Sequence, residues 1–133
     1  MRPFDVLVVS HGALADAMVA AAFMICGETD GVGAVGLAPD DSPETFAERL
    51  AAAIDERRPT LILSDLFGGT PHNVACATAR RQGVHCISGA NLGLLVEAIT
   101  TSEELDDRLV DRLVSLAREG VVDVTGRLSL IRD

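Results

Sequence analysis

Residues 5–18, DVLVVSHGALADAM, pass from a β-branched apolar run to a small-residue run across three positions, Ser10-His11-Gly12. Asp5 to Ser10 is short, apolar and bounded by a charge and a turn residue, the pattern of a strand buried on both faces of a sheet. From Ala13 to Cys26, Leu14, Met18, Ala21, Ala22 and Ile25 recur among small residues at helical spacing, and Gly27 closes the stretch. The stretch reads strand, His11-Gly12, helix. A histidine at such a junction lies at the carboxyl edge of a sheet beside the free N–H groups of a helix N-terminus, where open α/β proteins place their chemistry. A single histidine serves as often as a local hydrogen-bond partner, so its meaning depends on what the rest of the chain brings to that edge.

The same plan recurs downstream. Val32 to Leu37 reads as a second strand, followed by a helix with Ser42 as N-cap, Pro43 at its first position and acids in its first turn. In TLILSDLFGGTPHNVACATARRQG, residues 60–83, Leu61 to Ser64 form a strand and Asp65 to Gly69 a tight loop. Thr70-Pro71 supply the cap and first residue of a helix ending near Gly83. His85 to Ser88 is a fourth strand, GANLGLLVEAIT a loop and short helix, and Ser102 to Glu119 a longer helix carrying Leu105, Leu109, Leu113 and Leu116. The βαβαβαβα order implies a doubly wound, mostly parallel four-stranded sheet with helices on both faces and active loops at the carboxyl ends of the strands. The tail from Val121 to Ile131 alternates enough for a final edge strand. No linker, repeat or low-complexity stretch divides the chain, so residues 1–133 read as one domain.

Composition narrows the function. The 133 residues are 48% hydrophobic, enough for one core, and with no Trp, no Tyr and four Phe that core is aliphatic. Base-stacking platforms have almost no material, and a net charge of −9 repels a phosphate backbone, so nucleic acid is excluded as a partner. All eleven basic residues are arginines. The missing lysine rules out a P-loop, Schiff-base chemistry and a receiver-type lysine, and there is no G-x-G-x-x-G after the first strand for a dinucleotide. Cys26, Cys76 and Cys86 form neither a C-x-x-C pair nor a zinc spacing, so neither metal nor cofactor is expected. Three unpaired cysteines and the lack of a signal-peptide or membrane-spanning run point to the cytoplasm.

Two loops hold the chemistry. A carboxylate that accepts the N–H of one imidazole nitrogen fixes the tautomer and leaves the other nitrogen as a nucleophile, a service Asp65 can render to His11. The backbone N–H groups of Gly12, Gly68 and Gly69 can approach a phosphoryl oxygen closely, and the helix starting near Thr70 adds its partial positive charge. Ser10 and Thr70 carry hydroxyls able to donate to the same oxygens, although Thr70 is already explained as a cap. His72, in the first turn of that helix, is a further candidate contact. His85 reads as structural, and Arg80-Arg81, roughly 15 Å from the helix start at 1.5 Å per residue, as dipole partners.

DVLVVSHGALADAM, LILSDLFGGTPHNVA and ISGANLGLLVEA together resemble the enzyme IIA components of the mannose family of the bacterial phosphoenolpyruvate-dependent sugar phosphotransferase system. The resemblance runs over nearly the whole chain, and D-L-F-G-G-T-P-x-N is its specific stretch. It implies that His11 takes a phosphoryl group from phospho-HPr and passes it to enzyme IIB for sugar uptake, through a phosphohistidine and without a cofactor. It also implies that Asp65 is the aspartate preceding the double glycine, and that membrane contact is only indirect, through a sugar permease. A homodimer completed by a swapped C-terminal strand is implied as well. Where the family usually has N-L-P-M-L, this chain has Asn91-Leu92-Gly93-Leu94-Leu95, a change in the partner-facing rim. The same histidine would also serve a phosphorylation-switched regulatory module or the phosphotransfer subunit of a dihydroxyacetone kinase.

Overall fold

Strand β1 (Asp5–His11) lies inside a four-stranded sheet of order β2-β1-β3-β4, every pair parallel, with β2 at Val32–Leu37, β3 at Thr60–Ser64 and β4 at Val84–Ser88. The computed structural model describes residues 1–132, with side chains through Leu128. One row of the register runs Val35, Val9, Ser64, Ser88 across the carboxyl side of the sheet. The helices are α1 (Leu14–Cys26), α2 (Pro43–Ala53), α3 (Gly69–Thr78), α4 (Leu92–Thr100), α5 (Asp107–Glu119) and α6 (Val124–Arg132). The expected doubly wound sheet is what the chain forms.

Its two-sided burial explains the continuous apolar strands. Val6 and Val8 of β1 and Leu61 and Leu63 of β3 point to the face covered by α1, α4 and α5, where Leu94, Leu95, Ala98, Leu109 and Leu113 meet them. Leu7, Val9 and Ile62 point to the opposite face, against Phe46 and Leu50 of α2 and Ala75 of α3. Burying each Val, Leu, Ile or Phe side chain among them contributes about 1.5–3 kcal/mol. The aliphatic core expected from the composition is split by the sheet into two layers.

Local hydrogen bonds correct three boundaries. Asp106 caps α5 by accepting the Leu109 N–H at 2.9 Å, so the helix expected from Ser102 begins at Asp107. Helix α3 stops at Thr78 rather than near Gly83, where Arg81 N–H turns back to Thr78 O. The largest correction is the tail: the strand expected from Val121 to Ile131 is α6 over Val124–Arg132. Asp123 decides it, because its Oδ1 accepts the Gly126 N–H at 2.9 Å and the Thr125 hydroxyl at 3.0 Å, while its carbonyl accepts the Arg127 N–H. These bonds close a helical turn within the segment. A strand would need a neighbouring strand for its backbone groups, and among the described residues the sheet ends at β4.

Candidate functional site

The chain leaves β1 toward β2 on one side and then crosses to β3 on the other, so β1 and β3 are the strands between which the winding reverses. Loops leaving such a pair diverge and open a crevice at the carboxyl edge. His11 is the last residue of β1 and Asp65 the first after β3. The Asp65 N–H donates to Val9 O at 3.1 Å, which laces the β3 loop to β1 and brings its carboxylate under the histidine.

Each carboxylate oxygen of Asp65 has its own donors. Oδ2 accepts the His11 backbone N–H at 3.0 Å and lies 2.9 Å from His11 Nδ1, while Oδ1 accepts the Leu66 N–H at 2.9 Å. The Asp65 side chain is 6% exposed and that of His11 48%. Burial would raise the Asp65 carboxyl, but the hydrogen bonds from His11, its charge and the Leu66 N–H outweigh it and hold the group below its ordinary value. An ionised Asp65 can only accept, so Nδ1 carries a ring proton, and in the neutral imidazole the lone pair is left to Nε2.

That free nitrogen faces Gly69, the first residue of α3. A Cβ built on Gly69 would lie 3.2 Å from both Nε2 and Cε1 of His11, and the glycine sits at φ +83°, a left-handed conformation that side chains rarely adopt. Gly68, at φ +104°, closes the helix N-terminus with no side-chain cap, whereas Ser42, Asn91 and Asp106 cap α2, α4 and α5. The N-terminus of α3, with its partial positive charge and no side-chain cap, therefore begins at the residue that lies against Nε2.

The other expected residues are placed differently. Thr70 is the second residue of α3, not its cap; the two left-handed glycines begin the helix before it, and Pro71 sits in the first turn, where its missing N–H is not needed. Ser10 is fully buried, and its Oγ accepts the Ala15 N–H at 2.7 Å, securing the start of α1 instead of facing the crevice. Gly12 spends its N–H on Leu37 O at 2.8 Å, so that donor is not free. His72 stands with Nδ1 3.3 Å from Ser88 Oγ and Nε2 3.3 Å from Cys76 Sγ, its ring 4.5 Å from that of Phe67. Both its nitrogens are engaged away from His11. Arg81 pairs with Glu56 at 3.7 Å, and His85 Nε2 lies 3.6 Å from Asp107. Sequence reasoning missed Leu37, whose carbonyl holds the His11 loop through Gly12 in a pairing that depends on strand order and leaves no local signal, and Leu66, whose N–H bonds to the carboxylate of the adjacent Asp65. Among the described residues no three His, Cys, Asp or Glu side chains converge as a metal-ligand set, and no helix is long and apolar enough to cross a membrane.

Fold and site together define a doubly wound α/β protein built around one oriented imidazole at the point where the sheet winding reverses. Residues 5–113 match the family described as "PTS system fructose IIA component", and the chain belongs to that family of the phosphotransferase system. It is 32% identical over 124 residues to the mannose-specific EIIAB component of Escherichia coli (strain K12), an alignment covering 87% of this chain and 38% of that protein. The chain thus spans about two-fifths of that relative's length. With the fructose-specific EIIA component of Bacillus subtilis it shares 33% identity over 105 residues, covering 76% and 72% of the two chains. Among solved structures, the mannose/sorbose-specific IIA subunit of Enterococcus faecalis superposes with a TM-score of 0.85 at 32% identity, over 93% of this chain and 96% of the other. In the Asn91-to-Leu95 stretch, Asn91 caps α4 through the Leu94 N–H and ties it to Ala117 O of α5.

Proposed function

We propose that this chain is a phosphoryl carrier: Nε2 of His11 accepts a phosphoryl group from phospho-HPr and surrenders it to an enzyme IIB that serves a sugar permease. The observation that carries this reading is the pairing of His11 Nδ1 with the Asp65 carboxylate at 2.9 Å while Nε2 lies against Gly69 at an uncapped helix N-terminus. In the transfer, Nε2 attacks phosphorus in line, a new N–P bond forms, and the bond to the imidazole of HPr breaks, with its electron pair leaving on that nitrogen. Charge spread over the three equatorial oxygens meets the backbone N–H groups of Gly68, Gly69 and Thr70. The phosphorylated ring keeps its Nδ1 proton and is cationic, and the ionised Asp65 stabilises it. The step exchanges one N–P bond for another, so positioning and electrostatics are all it requires.

Incubation with phosphoenolpyruvate, enzyme I and HPr should introduce one acid-labile, alkali-stable phosphoryl group per chain. Labelling that persists in His11→Ala overturns the assignment. A homodimer is proposed with it. The outer edge of β4 has no strand beside it among the described residues, and Val121, Val124 and Leu128 near the chain end are 80%, 63% and 41% exposed, apolar surface suited to a second copy.

A further inference from the structure

The grip of Asp65 on His11 comes from the β3 side, and a second grip reaches the same loop from β2. Gly12, next to His11 and left-handed at φ +54°, donates its N–H to Leu37 O at 2.8 Å, and its carbonyl lies directly over Gly36, where a Cβ would collide with it. The carboxyl end of β2 is therefore the mould on which the Ser10-His11-Gly12 turn is cast. That end is in turn locked by side chains of the β2–α2 connection. Arg49 of α2 donates from Nη2 to Gly36 O and to Asp41 Oδ2, and its guanidinium lies 5.8 Å from the ring centre of Phe46. Asp41 Oδ2 also accepts the Ala38 N–H at 2.8 Å, and the Asp41 N–H returns to Ala38 O at 3.0 Å. The bond from Ala38, against a smaller effect of burial and with help from Arg49, holds the Asp41 carboxyl below its ordinary value. One cation thus ties residues 36, 38 and 41 into a knot, and the carbonyl inside that knot, Leu37 O, anchors Gly12.

We infer that Arg49 and Asp41 form a clamp that positions His11 for phosphoryl transfer by fixing the end of β2 against the His11-Gly12 turn. The inference rests on the proposed phosphorylation of His11 and adds to it a second, independent support. The hydrogen bonds of Arg49 go to Gly36 and Asp41 rather than to His11, so it acts through Leu37 and Gly12 and is a positioning residue. Both of its hydrogen bonds leave one nitrogen, Nη2, so a lysine ammonium, which also carries several donors on one atom, keeps part of the clamp but loses the guanidinium that lies over Phe46. A small displacement of a reacting group in such a site lowers rate steeply, and a loss of roughly ten- to a hundredfold is expected when the clamp opens.

The test compares wild type, Arg49→Ala, Arg49→Gln, Arg49→Lys and, as a control, Arg57→Ala, whose side chain is 89% exposed and, among the described residues, pairs only with Asp55 in its own turn. Phosphoryl uptake is measured by rapid quench against a range of phospho-HPr concentrations, and Gly12 amide exchange is read by NMR on the unphosphorylated proteins. The clamp predicts that Arg49→Ala lowers kcat with KM for phospho-HPr unchanged and accelerates Gly12 exchange, that Arg49→Lys recovers part of both, and that Arg57→Ala matches wild type. If Arg49→Ala does not fold, Arg49→Gln, which keeps the stem over Phe46, is read in its place. Parental kcat with a protected Gly12 overturns the clamp, and so does a raised KM with unchanged kcat, which would place Arg49 in contact with the carrier. Failure of the wild-type protein to accept phosphate would sink the carrier reading alone, because Gly12 exchange still reports on the clamp.

Discussion

The α-carbon of Gly69 stands against the free nitrogen of His11, so closely that a methyl group added there would lie 3.2 Å from Nε2. Gly68, one residue earlier, is also at positive φ, but a Cβ there would meet nothing within 4 Å. The two neighbouring glycines therefore separate backbone strain from obstruction of the nucleophile. Forcing an L residue to positive φ costs on the order of 1–3 kcal/mol in either place. Gly68→Ala and Gly69→Ala should accordingly lower Tm by similar amounts, while phosphoryl uptake falls much further in Gly69→Ala. Equal uptake in the two folded variants would show that Nε2 does not receive the phosphoryl group.

Asp65→Asn tests the carboxylate. Oδ2 takes two donors from His11 and Oδ1 takes the Leu66 N–H, so a carboxamide in either orientation sets its NH2 against one of them. It also removes the charge that stabilises a cationic phosphoimidazole. The variant should fold, by circular dichroism, yet accept phosphate from phospho-HPr about a hundred- to ten-thousandfold more slowly in rapid-quench measurements. A parental rate would reduce Asp65 to a turn residue.

The pH dependence of that pair has a definite sign. Because the folded carboxyl of Asp65 titrates below its ordinary value, the stability it contributes is fully present above the unfolded value of about 3.9 and disappears as pH falls through the lower folded value. Between pH 5 and 8 Asp65 therefore stays ionised and able to accept the Nδ1 proton of His11. A carboxyl-carbon NMR titration should place the Asp65 midpoint under 3.9, and a midpoint above it would contradict the hydrogen-bonded pair.

The thiols should separate cleanly by reactivity. Burial, with a smaller effect of Cys76, pushes Cys86 up to about 11, whereas Cys76 is exposed on α3. At pH 8 roughly one part in a thousand of Cys86 is thiolate. Brief iodoacetamide treatment followed by peptide mapping should find Cys76 alkylated and Cys86 intact, and early modification of Cys86 would mean that the β4 edge opens readily.

Association supplies a further check on the proposed homodimer. Sedimentation at micromolar concentration should give about twice the chain mass, and Val124→Asp with Leu128→Asp should shift it toward the monomer by charging the exposed apolar surface of α6. A monodisperse wild-type monomer would refute the dimer.

What the sequence determined by itself is what depends on neighbours along the chain. The apolar run ending at His11, the Ser42-Pro43 helix start and the Asp65-to-Gly69 turn could all be read, because burial periodicity, capping and glycine conformation act over a few residues. The two residues brought together, His11 and Asp65, were also legible, since each closes a strand whose carboxyl end can point only to one edge of a parallel sheet. The tertiary structure decided which donors and acceptors were already taken. Ser10, Gly12 and His72 are of a suitable type for phosphoryl oxygens, yet Ala15, Leu37, Ser88 and Cys76 engage them, and those pairings follow from how strands and helices pack. The tail turned on the same principle: its alternation permits a strand, but a strand forms only where another offers unpaired backbone groups, and Asp123 satisfied the helix locally instead.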